Sequence, residues 1–237
     1  MADQEQEQAA AAEAPATPEH FPTINFRLPG VWVVLDPRED EESRAAIEET
    51  VLAAVGKADD AVLLRRTMQG SLVDALEGAQ QAGAEMLYLC QEVGGMPMPI
   101  ALSVHFPKDL RMSPAIGTSP ASVIAVLKRS FEELKVDGID EAVEIEIEES
   151  RVLRTVTIDE QTIETEEASR EQRRISADYW YTVPGTKHVL LVNLATPLGD
   201  IPHVMLGFFD SIIAASFFAP AEETESSAEE AAPIAAG

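Results

Sequence analysis

Strict alternation of apolar and acidic side chains at residues 143–148 limits the fold of this chain more than any other sequence feature. Three apolar residues alternate with three glutamates, namely Val143, Ile145 and Ile147 with Glu144, Glu146 and Glu148. Successive side chains of a β-strand point to opposite faces, whereas a helix would mix the two sets. The pattern predicts a strand with one apolar and one acidic face. Glu149-Ser150 then predicts a turn into a second strand over residues 151–158.

A second hairpin is predicted further along the chain. Residues 174–183 and 187–196 flank the turn Pro184-Gly185-Thr186, and the polar residues 159–171 before them predict a loop. The strand HVLLVNLAT is apolar on both faces, which is typical of a central strand covered on both sides. Strands joined by such short turns pair in an antiparallel arrangement.

The remaining elements follow in the order ββ-αα-ββ-α-ββ-ββ-α. Residues 24–28 and 31–35 predict a first hairpin around Pro29-Gly30, and Asp36 followed by Pro37 predicts the start of the first helix. The other predicted elements are a second helix capped by Asp59-Asp60, strands over 86–93 and 100–106, a third helix capped by Ser119 and a last helix over 203–218. This order predicts an α/β chain of the α+β class, with a largely antiparallel sheet sandwiched by helices.

Acidic residues dominate the charge, which is -25 over 237 residues. Residues 1–23 and 220–237 are rich in Ala, Glu, Pro, Gln and Ser, and each segment has five acidic and no basic side chains. Segments with so few large apolar groups do not bury enough surface to offset the entropy of ordering, so we expect two disordered acidic tails. Residues 24–219, with the other fifteen excess negative charges, are expected to form a single α+β domain.

This charge argues against broad classes of partner. Phosphate backbones and anionic lipids repel such a surface, so we expect neither nucleic-acid binding nor membrane insertion. The most apolar run, residues 204–219, is interrupted by Asp210 and is shorter than the ~20 residues that span a bilayer. A basic protein partner, a cation or high solubility alone would each fit the charge.

Several features favour a cytoplasmic protein of bacterial origin. The N-terminal MADQEQEQ lacks both the basic and the apolar region of a signal peptide. Cys90 is the single cysteine, so no internal disulfide is expected. Arginine outnumbers lysine and alanine is abundant, which is typical of GC-rich bacterial genomes.

Three segments near the C-terminus follow one another as YWYTVPG, KHVLLVNLAT and FFDSIIAASF. Together they resemble the end of a Mog1/PsbP-like domain, whose last helix often closes with a similar pattern of Phe, Ile and Ser, here Phe209, Ile212 or Ile213, and Ser216. The early LPGVWVVLD resembles the start of that family. The resemblance implies an antiparallel sheet sandwiched by helices and a role as a binding or assembly module, with no catalytic residue to carry over. The acidic tails and the two successive helices depart from the family pattern.

No motif in the sequence predicts a catalytic residue, a metal site or a cofactor. The four histidines, His20, His105, His188 and His203, have no i, i+4 relation and no cysteine nearby, which favours structural or surface roles over a zinc site. His105 and His188 would converge only if their strands are neighbours. Cys90 within LYLCQEV is expected to be an inert core thiol. The sequence contains no nucleophile elbow, phosphate-binding loop or calcium-binding loop.

Trp180 and the glutamates of the acidic strand are the candidate partner-binding residues. Tyr179 and Tyr181 point to one sheet face, which leaves Trp180 on the other. Helices over that face would make Trp180 part of the core, the alternative that we favour, whereas an open face would make it an anchor for a partner. The acidic candidates, which simple solvation would also explain, are Glu144, Glu146 and Glu148.

These observations favour a non-enzymatic protein-binding or assembly module of the bacterial cytoplasm. The alternative is a small-ligand-binding protein or an enzyme with an unrecognised pocket at the sheet edge, using His105, His188 or Trp180. A third hypothesis is that the acidity only supports solubility at high salt. Histidines that lie beside a carboxylate in one cleft would support the second hypothesis.

Overall fold

The computed structural model describes residues 23–107, 110, 112, 115–164 and 169–219. The strands within them are β1 (Thr23–Asn25), β2 (Val31–Leu35), β3 (Met86–Val93), β4 (Met96–Pro97), β5 (Ala101–His105), β6 (Val143–Ile147), β7 (Ser150–Glu164), β8 (Ser169–Thr182), β9 (Val189–Thr196) and β10 (Phe217–Ala219). The helices are α1 (Asp40–Val55), α2 (Val62–Gln81), α3 (Pro120–Leu134) and α4 (Pro202–Ala214). The predicted α+β class is confirmed. The predicted tails lie outside the described residues, apart from Thr23.

One large antiparallel sheet organises the fold. Its strand order is β2-β3-β5-β9-β8-β7-β6, with the short β4 beside β3. The longest pairing joins β7 to β8, from Val152 opposite Tyr181 to Glu164 opposite Ser169. β9 lies between β5 and β8 near the centre of the sheet, as its two apolar faces predicted. β1 and β10 pair separately as a small two-stranded sheet.

One face of the large sheet is covered by α4 and by the β1-β10 pair. Leu102, Tyr179 and Leu190 from the sheet and Phe209 and Ile213 from α4 all belong to this core and are fully buried. Complete burial of such side chains stabilises the fold by about 1.5–3 kcal/mol each. We refer to this cluster as the α4-face core.

The opposite face of the sheet carries two separate helical layers. α1 and α2 cover β2 and β3 through a cluster that includes Leu35, Ile47 and Leu76. α3 covers β7 and β8 through a cluster that includes Leu127 and Leu153. Because these strand pairs stand at opposite ends of the sheet, the central strands β5 and β9 lie between the two layers on this face.

Three predictions for the N-terminal part are wrong. One concerns α2, which begins at Val62 after Ala61 and has no cap from the side chain of Asp59 or Asp60. Asp36 does not cap α1, which begins later at Asp40. The Asp36 carboxylate instead accepts hydrogen bonds from the backbone N–H and the guanidinium of Arg38, a local alternative to helix capping. In addition, β1 forms no hairpin with β2, because Ile24 packs into the α4-face core and β1 pairs with β10.

The predicted loop over residues 159–171 is also wrong where the structure describes it. Residues 159–164 continue β7 and residues 169–171 already belong to β8. Glu160 of β7 lies opposite Arg173 of β8, with 3.8 Å between its Oε1 atom and the Nε atom of Arg173. The polarity thus reflects a hairpin that extends beyond the apolar core.

Two smaller boundaries differ from the predictions as well. The hairpin after β6 turns at Glu148 and Glu149, since Ile147 lies opposite Ser150. The last helix ends at Ala214 rather than continuing to residue 218. Residues 217–219 form β10 instead, because they complete the small sheet with β1.

Candidate functional site

A row of polar residues crosses the centre of the sheet on the face between the two helical layers. Ser103 of β5 lies opposite Asn193 of β9, which lies opposite Asp178 of β8. This placement follows from strand alternation, because Leu102 and Leu194 on the same strands point into the α4-face core. The fold therefore sets a hydroxyl, an amide and a carboxyl group side by side.

Hydrogen bonds join this row to two neighbouring side chains. The Oγ atom of Ser103 lies 2.9 Å from Nε2 of His105. Asn193 donates through Nδ2 to Oδ1 of Asp178 at 2.6 Å and to Oγ of Ser176 at 2.8 Å. We call these five half-buried residues, Ser103, His105, Ser176, Asp178 and Asn193, the polar cluster.

Burial shifts the proton affinities of the two titratable members of the polar cluster in opposite directions. Loss of hydration lowers the pKa of His105, although the backbone of Ala82 and Gly83 and the charge of Asp178 act against this effect. Loss of hydration raises the pKa of Asp178. The hydrogen bond from Asn193 and the charge of His105 lower it by a smaller amount. Burial therefore favours a neutral imidazole near a carboxyl group of increased proton affinity.

A neutral imidazole in contact with a serine hydroxyl has the chemistry of a general base. The His105 Nε2 accepts the Ser103 proton in the tautomer that carries hydrogen on Nδ1. An ionised Asp178 would stabilise the imidazolium that results. The same contacts also serve a purely structural purpose, because buried polar groups that satisfy one another specify a unique core.

Neither His188 nor His203 joins the polar cluster. His105 lies opposite Leu191 of β9, so His188 stands three residues further along, about 10 Å away at the rise of a strand. His203 lies in α4, which covers the opposite face of the sheet. His20 lies outside the described residues. The carboxylate of the polar cluster thus accompanies one predicted histidine, not two.

Trp180 lies on the same sheet face as the polar cluster, beneath α3. Its ring meets Phe131 edge to face, with 5.0 Å between centroids and an interplanar angle of 73°. Its Nε1 atom is buried and has no hydrogen-bond partner among the described residues. The helix that covers this face makes Trp180 part of the core around α3, which is the alternative favoured by the sequence.

The glutamates of β6 are engaged within the chain. Glu144 lies 3.7 Å from the Lys128 ammonium and 3.8 Å from the Arg151 guanidinium. Glu146 forms a second ion pair with Arg151. Glu148 is not on the strand but in the turn after it, with a φ of 42°. The predicted acidic face is therefore partly neutralised by basic neighbours.

A less neutralised acidic surface lies at the start of α1. The side chains of Glu39, Asp40, Glu41 and Glu42 are all exposed. Asp40 pairs with Arg44, whereas the three glutamates form no ion pair with any described residue. We call Glu39, Glu41 and Glu42 the free carboxylates. The sequence explained them by helix capping and by the favourable position of anions near a helix N-terminus, and did not indicate that they would lack basic neighbours.

A small cavity lies beside the β6-β7 turn. Ile147, Ser150, Tyr181, Ser216 and Phe218 contribute to its lining, and its volume is about 40 Å³. That volume holds one or two water molecules and is far below the roughly 300–1,000 Å³ of pockets for organic ligands. This cavity is therefore too small for an organic ligand of ordinary size.

Comparison with known proteins does not narrow the function. No family model, curated protein or solved structure matches the chain. Across the described part of the chain, no three His, Cys, Asp or Glu side chains are grouped so as to hold a metal ion. None of the helices within residues 23–219 that the structure describes is both long and apolar enough to cross a bilayer.

Proposed function

We propose that this chain is a non-enzymatic binding or assembly module of the bacterial cytoplasm that engages a basic protein partner. The observation that carries the proposal is the group of free carboxylates on an already acidic chain. The Mog1/PsbP-like resemblance of the sequence supports the same role, because it implies a binding or assembly module. Fold analogy alone does not deliver a function, so the surface charge carries the argument.

The first turn of α1 explains why these carboxylates remain available. Anionic side chains are stabilised near a helix N-terminus by roughly 0.3–1 kcal/mol each, so they need no basic neighbour within the chain. Glu39 stands at the cap position, and Glu41 and Glu42 lie in the first turn. A basic partner would gain attraction there without displacing an internal ion pair.

Capture of proteins from a bacterial lysate by the full chain tests this proposal. We expect basic proteins to be retained at low salt and partly released at moderate salt, because exposed charges are screened over about 10 Å at 0.1 M salt. The triple variant Glu39→Gln, Glu41→Gln, Glu42→Gln should lose most of the captured protein. Recovery of no partner at either salt concentration would count against the proposal.

A matched control uses the acidic strand on the opposite edge of the sheet. The double variant Glu144→Gln, Glu146→Gln removes carboxylates that already have Arg151 or Lys128 as neighbours. We expect this variant to retain the partner almost as well as the unchanged chain. Loss of capture in the control, but not in the α1 variant, would move the binding surface to β6.

A second candidate function is a small-ligand-binding or enzymatic site at the polar cluster. The contact between Ser103 and His105 favours it, because a serine activated by an imidazole performs acyl transfer. A fluorophosphonate probe tests this chemistry directly. The Ser103 Oγ would form a bond to phosphorus, fluoride would leave, and His105 would take the hydroxyl proton. Labelling that disappears in Ser103→Ala would support the site, and an unlabelled native chain would argue against it.

A further inference from the structure

The outer edge of β2 carries neither the charged residues nor the proline that commonly protect an edge strand, although the strand is short and its register with β3 shifts between Val31 and Trp32. β2 stands at one end of the large sheet and pairs only with β3 among the described strands. Its sequence, VWVVL, has no charged residue and no proline. Edge strands that present such runs pair readily with other chains, and proteins usually block them with charges or proline. β6 at the opposite edge carries such charges, Glu144 and Glu146.

The backbone of β2 presents hydrogen-bonding groups to this free edge. The Cys90 N–H of β3 donates to the Ile100 carbonyl at 2.9 Å, on the side of β5. The backbone groups of successive residues point to opposite sides of a strand. The N–H and C=O of Leu89 therefore point towards β2, where Leu89 lies opposite Val33. It follows that Val34, next to Val33, directs its N–H and C=O outward. No described residue forms a backbone hydrogen bond with these outward groups.

Contacts on both faces of β2 fix its conformation. Val33 and Leu35 are buried beneath α1 and α2. On the other face of the strand, Trp32 donates its Nε1 hydrogen to the Pro29 carbonyl at 2.7 Å. Val34 remains 50% exposed, so apolar surface accompanies the free backbone groups. A preformed strand loses little conformational entropy when another chain adds to it.

The charges at the two ends of β2 indicate which kind of chain would pair with its free edge. The C-terminal end of β2 leads directly to the start of α1 and its free carboxylates. At the other end, the exposed Glu92 lies opposite Val31. A second copy of this chain would bring like charges to the same place. A strand of a basic protein would bring opposite charges instead.

We infer that the outer edge of β2 is a docking strand for an extended segment of a basic protein. The segment carries lysine or arginine immediately before a run of alternating apolar residues. This order follows from antiparallel addition, which places the N-terminal part of the segment beside the C-terminal end of β2 and the free carboxylates. The inference rests on the proposed function and specifies the surface and the chemistry of the partner.

A synthetic peptide of three lysines followed by Val-Thr-Val-Thr-Val tests this inference on the full chain. We expect saturable binding by calorimetry, together with slower hydrogen exchange at the amide of Val34. The reversed peptide, with the lysines after the apolar run, should bind at least about fivefold more weakly. A peptide in which proline replaces two of the three valines should not protect the Val34 amide, because proline lacks the N–H needed for strand pairing.

Two substitutions at one position separate strand pairing from general attraction. Val34→Pro removes the outward N–H but leaves the pairing of Val33 with Leu89, and proline is tolerated at such edge positions. We expect it to raise the Kd for the peptide at least tenfold. Val34→Thr keeps the N–H and the branched shape, so its Kd should stay within about twofold of the unchanged chain. Thermal unfolding of both variants checks that the fold is retained.

The outcomes distinguish this inference from the proposed function. Equal binding of the peptide to the folded Val34→Pro and Val34→Thr chains would overturn the docking strand, as would the absence of protection at Val34 in the unchanged chain. Capture of basic proteins that persists in Val34→Pro would then leave the proposed function standing without this edge. Self-association of the unchanged chain that Val34→Pro abolishes would assign the edge to a second copy, and would likewise overturn the inference.

Discussion

The phenolic hydroxyl of Tyr179 donates to Oδ1 of Asp210 at 2.8 Å, and this contact joins the centre of the sheet to α4. The other carboxylate oxygen of Asp210 accepts from the guanidinium of Arg154 on β7. Asp210 is the acidic residue that interrupts the most apolar run of the sequence. Its two polar partners on the sheet, Tyr179 and Arg154, therefore explain why an aspartate occupies this position of α4.

Replacement of Asp210 should destabilise the fold more than replacement of Tyr179. The Arg154 side chain is only 15% exposed, so Asp210→Ala would leave a largely buried cation without its partner. We expect a loss of about 3 kcal/mol in the free energy of unfolding. Tyr179→Phe removes one hydrogen bond and should cost about 1 kcal/mol. Urea unfolding measures both values.

An exposed ion pair provides the control for this comparison. Arg129 and Glu133 form a pair on the surface of α3, with both side chains more than half exposed. Glu133→Gln should change the free energy of unfolding by at most about 0.5 kcal/mol. Equal losses in Asp210→Ala and Glu133→Gln would contradict the assigned role of Asp210.

Tyr179 and Tyr181 should ionise only when the chain unfolds, whereas Tyr88 should ionise at a higher pH than a free tyrosine. Burial raises the pKa of Tyr88, Tyr179 and Tyr181, and the charge of Asp210 adds to the effect on Tyr179. An unfolded tyrosine ionises near pH 10, so the folded state loses stability as the pH rises above that value. We expect the tyrosinate absorbance of Tyr179 and Tyr181 to appear together with the loss of native circular dichroism. More than one equivalent of tyrosinate formed while the native spectrum persists would contradict this coupling.

The thiol of Cys90 should be unreactive in the folded chain. Burial raises its pKa to about 11, and the thiolate is the reactive form. At pH 8 its reaction with an aromatic disulfide reagent should be at least ~100-fold slower than that of a free cysteine with a pKa of about 8.5. Addition of urea should release one equivalent of thiol. Rapid stoichiometric reaction without denaturant would show that the strand opens.

Asp178→Asn should stabilise the chain at neutral pH. Burial raises the pKa of Asp178, so the unfolded state releases this proton at lower pH than the folded state does. Charging Asp178 therefore opposes folding increasingly as the pH rises above about 4. Asparagine keeps an oxygen that accepts from Asn193 and carries no charge. We expect a higher melting temperature at pH 7 and little change at pH 3.

An exposed aspartate provides the control for the Asp178→Asn experiment. Asp159 lies on β7 and is exposed. Asp159→Asn should leave the melting temperature nearly unchanged at both pH values. A stabilisation of Asp159→Asn equal to that of Asp178→Asn would show that the gain comes from the lower net charge of the chain rather than from the polar cluster.

Local patterns in the sequence predict the sheet well because strand alternation is a short-range property. The apolar character of residues 189–196 predicts the central position of β9, and Ser119 caps α3 as expected, accepting from the Ser122 N–H at 3.3 Å. The pairing of β1 with β10 was not predictable, because it joins residues from opposite ends of the chain. Nothing near Thr23 in the sequence specifies such a distant partner.

The candidate sites were harder to predict than the fold, because they also depend on contacts between residues far apart in the sequence. Ser103 and His105 share one strand, so alternation alone places them on one face. Asp178 and Asn193 join them only through the strand order β5-β9-β8, which local patterns do not determine. The free edge of β2 likewise depends on which strands occupy the centre of the sheet. The apolar, uncharged run VWVVL was the one sequence signal that could have indicated it.

The small sheet of β1 and β10 has a practical consequence for rearranging the gene. Thr23 lies opposite Ala219, so the chain enters and leaves the described structure at one place, with about 5 Å between the two Cα atoms. A linker of a few residues would therefore join these positions and permit a circular permutant with new ends at the Pro184-Gly185 turn. Such a permutant would keep every strand beside its present neighbours while changing the order in which the ribosome makes them.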